Sequence, residues 1–397
     1  MFKKLRILEI SSTFPPLKGG MERVVEGLSA ELALRGHEVT VLTTNLYVPE
    51  AKVGEEEMVV GFGNKKTKIK IVRVPNKLFL TGYGFAPAIL AWLEGNWRDF
   101  DVVHCHGYNR FASEAAVFFL RGRLPTVFTA HGFYHSGRRK LLKKLHETTL
   151  GARAARAASA CVAITLDDVG EFERMGVGRE KIFVVPNGVE VEKFASKPSR
   201  KTAKSKNYFE KYSPFVLFVG RVHESKGLAY LLEAIHGLDC NLVVLGKDAG
   251  YGEKLRQKLA EMGLSKRVFV VGEQPPEKLV EAYRACELLA LPSEWEAFGV
   301  VLVEAMAAGK PVVASDRGGA PLIVEEGMTG FIVPYADSQK LRKKIGLLLK
   351  NKSLAKKMGE AGRKAAQQYS WKKVAEKTEK LYEKLCEGMT RNFAGSN

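Results

Sequence analysis

The sequence lacks the paired cysteines that would indicate a disulfide framework or a zinc site. Its five cysteines are widely spaced, none is part of a C-x-x-C pair, and their number is odd. They are Cys105, Cys161, Cys240, Cys286 and Cys386. Most lie in apolar, strand-like surroundings, which predicts buried, reduced thiols. We therefore expect neither a disulfide scaffold nor a cysteine metal centre.

Long hydrophobic runs are also absent. No apolar segment reaches the roughly 18 residues that a membrane-spanning helix needs. The N-terminal segment MFKKLRILEI is basic, but it has neither the apolar core nor the small-residue cleavage site of a signal peptide. We therefore expect a cytoplasmic protein, with association at the inner face of the membrane as an alternative.

Positive charge is abundant. The 397 residues are 46% hydrophobic and 27% charged, as in globular proteins, and the net charge is +18. Such a charge calls for an anionic partner, either nucleic acid, an anionic membrane surface or a phosphate-bearing substrate. Because no basic–aromatic module or RNA-binding signature accompanies the charge, we do not expect nucleic acid.

The basic residues concentrate in two segments. Residues 137–156 hold seven Lys or Arg against one acid, and residues 193–206 hold six. In the first segment, Leu141, Leu142 and Leu145 follow helical spacing. This pattern fits either an interfacial helix on anionic lipid or a solvated helix whose leucines face the core.

Short apolar runs alternate with longer helix-period segments along the whole chain, which predicts parallel sheets flanked by helices. Strands are expected near residues 6–11, 38–43, 70–74, 101–105, 126–130, 161–164 and 183–185. After a polar stretch at residues 196–211, a second series is expected near residues 215–220, 242–246, 268–271, 288–291, 311–314 and 330–333. The fold class is therefore α/β, with two Rossmann-like doubly wound domains at residues 1–192 and 193–370. Ligands of such sheets bind beyond the carboxyl ends of the strands, so the cleft between the two sheets is the expected site.

Two cations follow the first strand of the second series. Arg221 comes directly after PFVLFVG, and Lys226 precedes the next helix. The planar fork of arginine and the mobile charge of lysine suit a diphosphate group. From spacing alone, a solvated loop with two ordinary surface cations is the favoured interpretation.

A second group of candidates lies in the segment PSEWEAFGVVLVEAMAAGKPVVAS. Glu296 is expected in the loop after a strand, and Phe298 and Gly299 are expected to begin a helix whose N-terminus favours anions. Glu304, eight residues after Glu296, would lie on nearly the same side two turns along. Its apolar neighbours indicate a buried helix, so its carboxylate requires a partner.

Together these segments resemble the family-4 retaining glycosyltransferases. The resemblance rests on the E-x7-E pair just described and on FVGRVHESKG before it. Further matches cover almost the whole chain: PLKGGMERVVEGLSAEL, DVVHCHG, TAHG, VVPNGV and YSWKKVAEKTEKLYEK. The resemblance implies a GT-B fold whose C-terminal helix, residues 371–388, crosses back to the N-terminal domain. It also implies that the N-terminal domain binds the acceptor and the C-terminal domain binds the nucleotide-sugar donor.

The resemblance also implies roles for individual residues. Arg221 and Lys226 would bind the donor diphosphate, and Glu304 the ribose. Contacts to the transferred sugar or the phosphates would come from Glu296 and the backbone of Phe298, Gly299 and Val300. The remaining candidates are the loop residues Gly19 and Gly20, His131 at the donor sugar, His106 in the acceptor region, and His104 in a structural role. One departure is the sequence Gly318-Gly319-Ala320-Pro321-Leu322, which has leucine where the family usually has glutamate.

Retention of anomeric configuration is also implied, although no protein nucleophile can be nominated. We therefore expect front-face attack, without a metal or other cofactor, on a UDP-, GDP- or ADP-sugar by a hydroxyl of a glycan, lipid-linked or small-molecule acceptor. The string Asp99-Phe100-Asp101 matches a metal-binding D-x-D pattern, but it precedes its strand and so predicts a turn. The alternatives are a nucleotide-sugar epimerase or a non-catalytic nucleotide-sugar binding protein. An NAD-dependent oxidoreductase is disfavoured because LKGGMER lacks the G-x-G-x-x-G spacing.

Overall fold

The chain folds into two compact units in a computed structural model that describes residues 3–17, 19–80, 83–133, 149–196 and 207–394. The first unit is Met1–Gly188 together with Trp371–Asn397, and the second is Val189–Ser370. Both are α/β units built on sheets of mainly parallel strands.

The first unit contains ten described strands. They are β1 (Arg6–Ser11), β2 (Glu38–Thr44), β3 (Gly54–Phe62), β4 (Lys65–Val74), β5 (Leu78–Leu80), β6 (Tyr83–Phe85), β7 (Val102–His106), β8 (Thr126–Thr129), β9 (Ala160–Ala163) and β10 (Ile182–Val184). Eight form one sheet in the order β10-β9-β8-β7-β1-β2-β4-β3, while β5 and β6 pair separately. Within the large sheet, β3 is antiparallel to β4 and the other pairs are parallel.

Helices cover both faces of this sheet. They are α1 (Gly20–Leu34), α2 (Ala88–Asn96), α3 (Phe111–Leu120), α4 (Leu150–Ala157) and α5 (Leu166–Arg174). The central parallel strands β7, β8 and β9 are buried on both faces, and two apolar clusters form the core. At the start of α5, Thr165 and Asp168 form a capping box that satisfies backbone amides of the first turn.

The described residues of the second unit form six strands, all parallel. They are β11 (Phe215–Val219), β12 (Asn241–Leu245), β13 (Val268–Gly272), β14 (Leu288–Leu291), β15 (Val312–Ser315) and β16 (Gly330–Val333), in the order β13-β12-β11-β14-β15-β16. Its described helices are α6 (Val191–Ala195), α7 (Leu228–His236), α8 (Gly252–Glu261), α9 (Pro276–Ala285), α10 (Val300–Ala307), α11 (Ala320–Ile323), α12 (Ser338–Lys350) and α13 (Lys352–Ala366).

The last helix, α14 (Trp371–Ala394), packs within the first unit. Its Glu379 accepts hydrogen bonds from Arg35 at 2.8 and 2.5 Å and lies 2.7 Å from Nε2 of His37. The indole of Trp371 lies against Gly27, where any side chain would collide with the ring. In the described residues, no helix is both long enough and apolar enough to cross a bilayer.

The predicted α/β class and the two series of parallel strands are confirmed, with strand ends within about two residues of the structure except at β4. The antiparallel hairpin of β3 and β4 was missed, and β4 starts at Lys65 rather than residue 70. The charged sequences of these two strands obscure the apolar pattern, because Glu57 pairs with Lys68 and Glu55 with Lys70 across them. Four of the five cysteines are buried, as predicted.

Parts of the two basic segments, residues 137–148 and 197–206, lie outside the described residues, and with them the leucines of the proposed interfacial helix. The described end of the first segment forms α4. There, Arg153 and Arg156 are exposed, whereas Ala152, Ala154 and Ala155 are buried.

Candidate functional site

The candidate residues of the second unit follow two neighbouring strands. The chain runs from β11 outward to β12 and β13 and then returns to β14 on the other side of β11, so β11 and β14 flank the topological switch point of the sheet. The loops after these strands pack together, since the amide of Glu294 donates to the carbonyl of Ser225 at 2.8 Å. Ligands of open α/β sheets bind at this position.

Lys226 and Glu296 meet at this point. The ammonium nitrogen of Lys226 lies 2.7 Å from Oε1 of Glu296, and the hydroxyl of Ser293 donates to the same oxygen at 2.7 Å. The side chains of Lys226 and Glu296 are only 14% and 17% exposed. Arg221 is exposed, and no carboxylate of the described residues lies within ion-pair distance of it. One cation is therefore held in place and the other extends into solvent.

Two glycines in the loop after β15 pack closely against the backbone of Glu296. Gly318 has a φ of 62°, and a Cβ there would collide with the backbone of Glu296. The amide of Gly319 donates to the carbonyl of Glu296 at 2.8 Å. The loop after β15 thus supports the backbone of Glu296. Leu322, the position at which the sequence departs from the family, is 39% exposed.

The structure corrects the geometric argument for Glu304. Helix α10 begins at Val300, after Gly299 with a φ of 93°, and so Glu296 lies outside the helix rather than two helical turns before Glu304. Glu304 is 8% exposed, and Oε2 accepts a hydrogen bond from the hydroxyl of Tyr283 at 2.7 Å.

Tyr283 is a partner that the sequence did not reveal. Burial and the Glu304 carboxylate raise the pKa of Tyr283 well above its usual range, so the phenol remains a donor. Tyr283 lies on α9 and Ser293 in the loop after β14, with no motif of their own. Only the predicted burial of Glu304, which called for a partner, pointed to such a residue.

In the first unit, the candidate glycines follow β1, which with β7 flanks the switch point of that sheet. Gly19 precedes α1 with an extended backbone, and a Cβ on Gly19 would collide with the carboxylate of Glu22. That carboxylate accepts a hydrogen bond from the hydroxyl of Thr13 at 2.5 Å. Glu22 therefore ties the start of α1 to the loop after β1, a role that sequence reasoning did not assign. Gly20 is the first residue of α1.

The candidate histidines lie at the carboxyl ends of β7 and β8. His131 has a φ of 60°, unusual for a residue with a side chain, and its Nε2 lies 2.9 Å from Nδ1 of His106. Nε2 of His106 lies 2.5 Å from Oε2 of Glu9. Desolvation and the neighbouring His106 lower the pKa of His131 well below its usual range, so its ring is neutral at pH 7. Glu9 was not predicted from the sequence, because one acid in an apolar strand carries no motif.

His104 shares the strand face of His106, as alternation predicts. Nδ1 of His104 lies 2.7 Å from the hydroxyl of Tyr382, and Nε2 lies 2.7 Å from that of Thr129. Burial and the neighbouring histidines lower the pKa of His104 well below its usual range. Both ring nitrogens are therefore engaged in hydrogen bonds within the core.

Two sets of residues resemble metal ligands. Glu9, His104 and His106 have the composition of a cation site. Nevertheless, the bonds of His104 to Tyr382 and of His106 to Glu9 occupy the nitrogens that would face a cation. Asp101 accepts bonds from the backbone and guanidinium of Arg6 at 2.8 and 3.1 Å, at the amino ends of β1 and β7. The D-x-D string is thus at the edge opposite the candidate histidines, as predicted.

Two family models of glycosyltransferases match the chain. The model "Glycosyl transferases group 1" matches residues 199–365, and the model "Glycosyltransferase Family 4" matches residues 18–193. A D-inositol 3-phosphate glycosyltransferase of Corynebacterium jeikeium is 36% identical over 51% of the chain and 52% of that protein, about half the length of each. A phosphatidyl-myo-inositol mannosyltransferase of Mycobacterium leprae is 29% identical over 92% of the chain and 93% of that protein.

Solved structures share the fold. Sucrose-phosphate synthase from Thermosynechococcus elongatus matches with a TM-score of 0.76 and 22% identity, over 97% of this chain and 100% of that one. Anabaena HepE in complex with UDP matches with a TM-score of 0.75 and 20% identity, over 96% and 100%. The two parallel-sheet units and these matches place the protein in the class of GT-B glycosyltransferases. Within that class, the chain belongs to the family-4, group-1 glycosyl transferases.

Proposed function

We propose that this protein transfers a sugar from a nucleoside diphosphate sugar to an acceptor hydroxyl, with retention of anomeric configuration and without a metal ion. One observation supports the proposal above the others. The residues that would bind a diphosphate, a sugar and a ribose gather at the switch point of the second sheet, where ligands of such sheets bind.

The second unit would bind the donor. Arg221 and Lys226 would contact the diphosphate, and Glu304, held by Tyr283, would accept hydrogen bonds from the ribose hydroxyls. Glu296 and the backbone at Phe298, Gly299 and Val300 would contact the sugar or the phosphates. Charge-assisted hydrogen bonds to phosphate contribute about 1.5–3 kcal/mol each. Because HepE has been solved with UDP, a UDP-sugar is the first donor to test, followed by GDP- and ADP-sugars.

The first unit would bind the acceptor. Gly19 and Gly20 would contribute backbone contacts, His106 would lie in the acceptor region, and His131 would contact the sugar being transferred. The names of the relatives favour an acceptor that carries an inositol phosphate, either free or linked to lipid. A phosphorylated acceptor also fits the net charge of +18. A cytoplasmic location, with contact to an anionic membrane surface for a lipid-linked acceptor, belongs to the same proposal.

The chemistry proposed is front-face substitution. The acceptor oxygen forms its bond to the anomeric carbon on the face from which the diphosphate leaves, and a donor phosphate oxygen takes the proton of the acceptor hydroxyl. Arg221, Lys226 and the amide end of α10 would stabilise the charge that develops on the leaving diphosphate. The protein would otherwise act by orienting the two reactants.

A thermal-shift and product screen tests the proposal. The purified chain is exposed to UDP-, GDP- and ADP-sugars with EDTA present, and products are analysed after adding D-inositol 3-phosphate or phosphatidylinositol. We expect one nucleotide to stabilise the wild type, Lys226→Ala to abolish that stabilisation, and a new α-glycosidic bond to form despite chelation. An epimerised nucleotide sugar without a glycoside would refute transfer, and activity only after metal addition would refute metal independence.

A further inference from the structure

A buried arginine lies near the carboxyl end of β4 in the first unit. Arg73 is only 2% exposed, and arginine is almost never fully buried unless it is paired. Strand alternation places it on the face of Ile69 and Ile71, which pack in the apolar cluster that also contains Val25 and Leu28 of α1. Desolvation lowers the pKa of Arg73, yet a guanidinium stays protonated in proteins. The fold therefore keeps a positive charge in its interior.

Backbone carbonyls, more than any carboxylate, hold this charge in place. Nη1 of Arg73 donates to the carbonyl of Thr44 at 3.2 Å, and Nη2 donates to the carbonyl of Pro15 at 2.8 Å. The one carboxylate of the described residues within ion-pair distance is that of Glu56, which lies 3.7 Å from Nη2 and is 49% exposed. The planar guanidinium can reach two carbonyls on different segments at once. Arg73 therefore links the loop after β1 to the end of β2.

The loop after β1, residues 12–17, is held through its carbonyl groups. Besides the carbonyl of Pro15, that of Ser12 accepts from the hydroxyl of Thr44 at 2.7 Å, and that of Thr13 accepts from the hydroxyl of Ser11 at 2.8 Å. Side chains at the ends of β1, β2 and β4 thus bond three carbonyls within four residues of the loop. The loop leads directly to the candidate glycines at the start of α1.

We propose that Arg73 is a positioning residue, which holds the carbonyl of Pro15 and thereby fixes the loop after β1 in place for the acceptor. The role of the loop at the acceptor rests on the proposed function, whereas the link between Arg73 and the loop does not. Position is important for transfer, because a misplacement of about 1 Å can lower a rate about 100-fold. Arg73 is also the one donor of the three that reaches across β2, since β4 is not a neighbour of β1.

Stability alone does not account for a charged side chain at this place. Burying a charge is costly, and replacing buried ionic groups by apolar residues of similar volume often leaves a protein equally or more stable. The hydroxyls of Ser11 and Thr44 bond neighbouring carbonyls of the loop without burying a charge. The guanidinium adds a rigid plane that fixes the carbonyl of Pro15 relative to the end of β2. Such a link suits a loop whose backbone must be in a defined position.

Arg73→Lys tests the link, with Arg267→Lys as the matched control. Lysine keeps the positive charge but donates from a single point, so it can hold only one of the two carbonyls. The guanidinium of Arg267 also donates to backbone carbonyls, those of Leu238 and Cys240, but it lies at the amino end of β13 in the second unit. The two variants therefore make the same chemical change at different places.

Hydrogen exchange of the full chain, measured on peptides that span residues 12–17, tests the link without substrate. We expect the amides of this loop to exchange at least tenfold faster in Arg73→Lys and at the wild-type rate in Arg267→Lys. Equal exchange in Arg73→Lys and the wild type would refute the link. Exchange in the wild type as fast as in an unstructured peptide of the same sequence would also overturn it, whether or not any variant folds.

Transfer kinetics, with the donor and acceptor that the screen above identifies, test the effect on the reaction. We expect Arg73→Lys to lower kcat/KM for the acceptor tenfold or more and to leave the Kd of UDP within twofold, and Arg267→Lys to change neither. An unchanged kcat/KM in Arg73→Lys, or an equal loss in both variants, would refute the positioning role. A wild type that binds no donor and forms no glycoside would refute the proposed function, and with it the role at the acceptor, even where the exchange results hold.

Discussion

Lys226 and Glu296, 70 residues apart in the chain, form an ion pair of 2.7 Å at the point where β11 and β14 lie side by side. Ser293 donates to the same carboxylate oxygen, so Glu296 has partners before any ligand arrives. A bound diphosphate would share Lys226 with Glu296, and the carboxylate would then be available to sugar hydroxyls. Arg221 lies five residues before Lys226, is exposed, and is not held by a carboxylate of the described residues.

This difference predicts separable effects of the two cations. Lys226→Ala should lower the free energy of unfolding by roughly 1–3 kcal/mol, because a mostly buried carboxylate loses a charged partner, and should also abolish UDP binding. Arg221→Ala should change stability by no more than about 0.5 kcal/mol, since the side chain is exposed, yet weaken UDP binding about tenfold or more. Urea unfolding and calorimetric titration measure both quantities.

Lys254→Ala is the matched control for these two cations. Lys254 is an exposed lysine on α8 of the same unit, and its removal should change neither stability nor binding. Tight UDP binding by both Lys226→Ala and Arg221→Ala would contradict the placement of the diphosphate.

Tyr283 is predicted to act through Glu304. Tyr283→Phe removes the hydroxyl that holds Oε2 of Glu304, which should weaken UDP binding by about 0.5–1.5 kcal/mol, or up to roughly tenfold. If Glu304 binds ribose, the loss should be smaller for 2′-deoxy-UDP, so that the preference for UDP shrinks. Tyr208→Phe, at an exposed tyrosine of the same unit, is the control. An equal loss for both nucleotides would show that Tyr283 does not act through the ribose contact.

The sequence predicts more of the elements than of the contacts between them. Runs such as PFVLFVG and PVVAS identify buried parallel strands because a strand that is covered on both faces consists mostly of consecutive apolar residues. The order of the strands in the sheet cannot be predicted in this way, because it depends on the direction of each crossover connection. No local sequence pattern indicated that β11 lies beside β14. The switch point, and with it the reason for Lys226 to meet Glu296, became visible only in the folded chain.

Partners without a motif were missed for a related reason. Glu9 is a single acid in the apolar strand β1, and Tyr283 lies on the largely polar helix α9, so neither belongs to a motif. Their contacts come from other strands or helices. The prediction that the buried Glu304 needs a hydrogen-bond partner was correct, but burial alone does not reveal which residue donates that hydrogen bond. The predicted helical relationship between Glu296 and Glu304 was wrong because α10 begins only at Val300, after Glu296.

Gly318 is predicted to control the site without contacting a ligand. In Gly318→Ala, the new methyl group would collide with the backbone of Glu296, so the loop must shift and UDP binding should weaken by tenfold or more. Gly250→Ala separates this effect from backbone strain. Gly250 also has a positive φ, of 96°, but a Cβ there meets nothing within 4 Å. If both variants bind UDP equally well, the contact between Gly318 and Glu296 does not matter for binding.

Glu379 is predicted to hold α14 in the first unit. Burial would raise the pKa of Glu379, but hydrogen bonds from Arg35 and His37 lower it below its usual value of 4.5. Breaking a buried pair costs about 3–5 kcal/mol, so Glu379→Ala should destabilise the first unit by that order. Because the folded pKa is lowered, this stabilisation is present above pH 4.5 and lost as the pH falls through the folded pKa.

Hydrogen exchange of the amides in α14 measures this effect locally. Protection should fall across the helix in Glu379→Ala and remain in Glu387→Ala, which removes an exposed carboxylate of the same helix. Unchanged protection in Glu379→Ala would mean that apolar contacts such as those of Trp371 suffice.

Asp168 predicts a pH dependence of the opposite sign. Burial raises the pKa of this capping carboxyl to about 6, against hydrogen bonds from the amides of Ile164 and Thr165. Between pH 4 and pH 6 the folded state therefore holds one more proton than the unfolded state, and the stability from this group falls as the pH rises. A shift from 3.8 to about 6 corresponds to roughly 3 kcal/mol at 1.36 kcal/mol per pKa unit.

Asp168→Asn tests this sign directly. The amide oxygen can still accept from the two backbone amides, but the group no longer titrates. The stability of the variant relative to wild type should therefore increase by roughly 3 kcal/mol between pH 4 and pH 7, as measured by urea unfolding at a series of pH values. Asp167→Asn, at the exposed neighbour, should show no such trend. If the difference in unfolding free energy between Asp168→Asn and wild type stays constant from pH 4 to pH 7, the buried carboxyl is ionised over that whole range. The hydrogen bonds of the helix cap would then offset the cost of burying its charge.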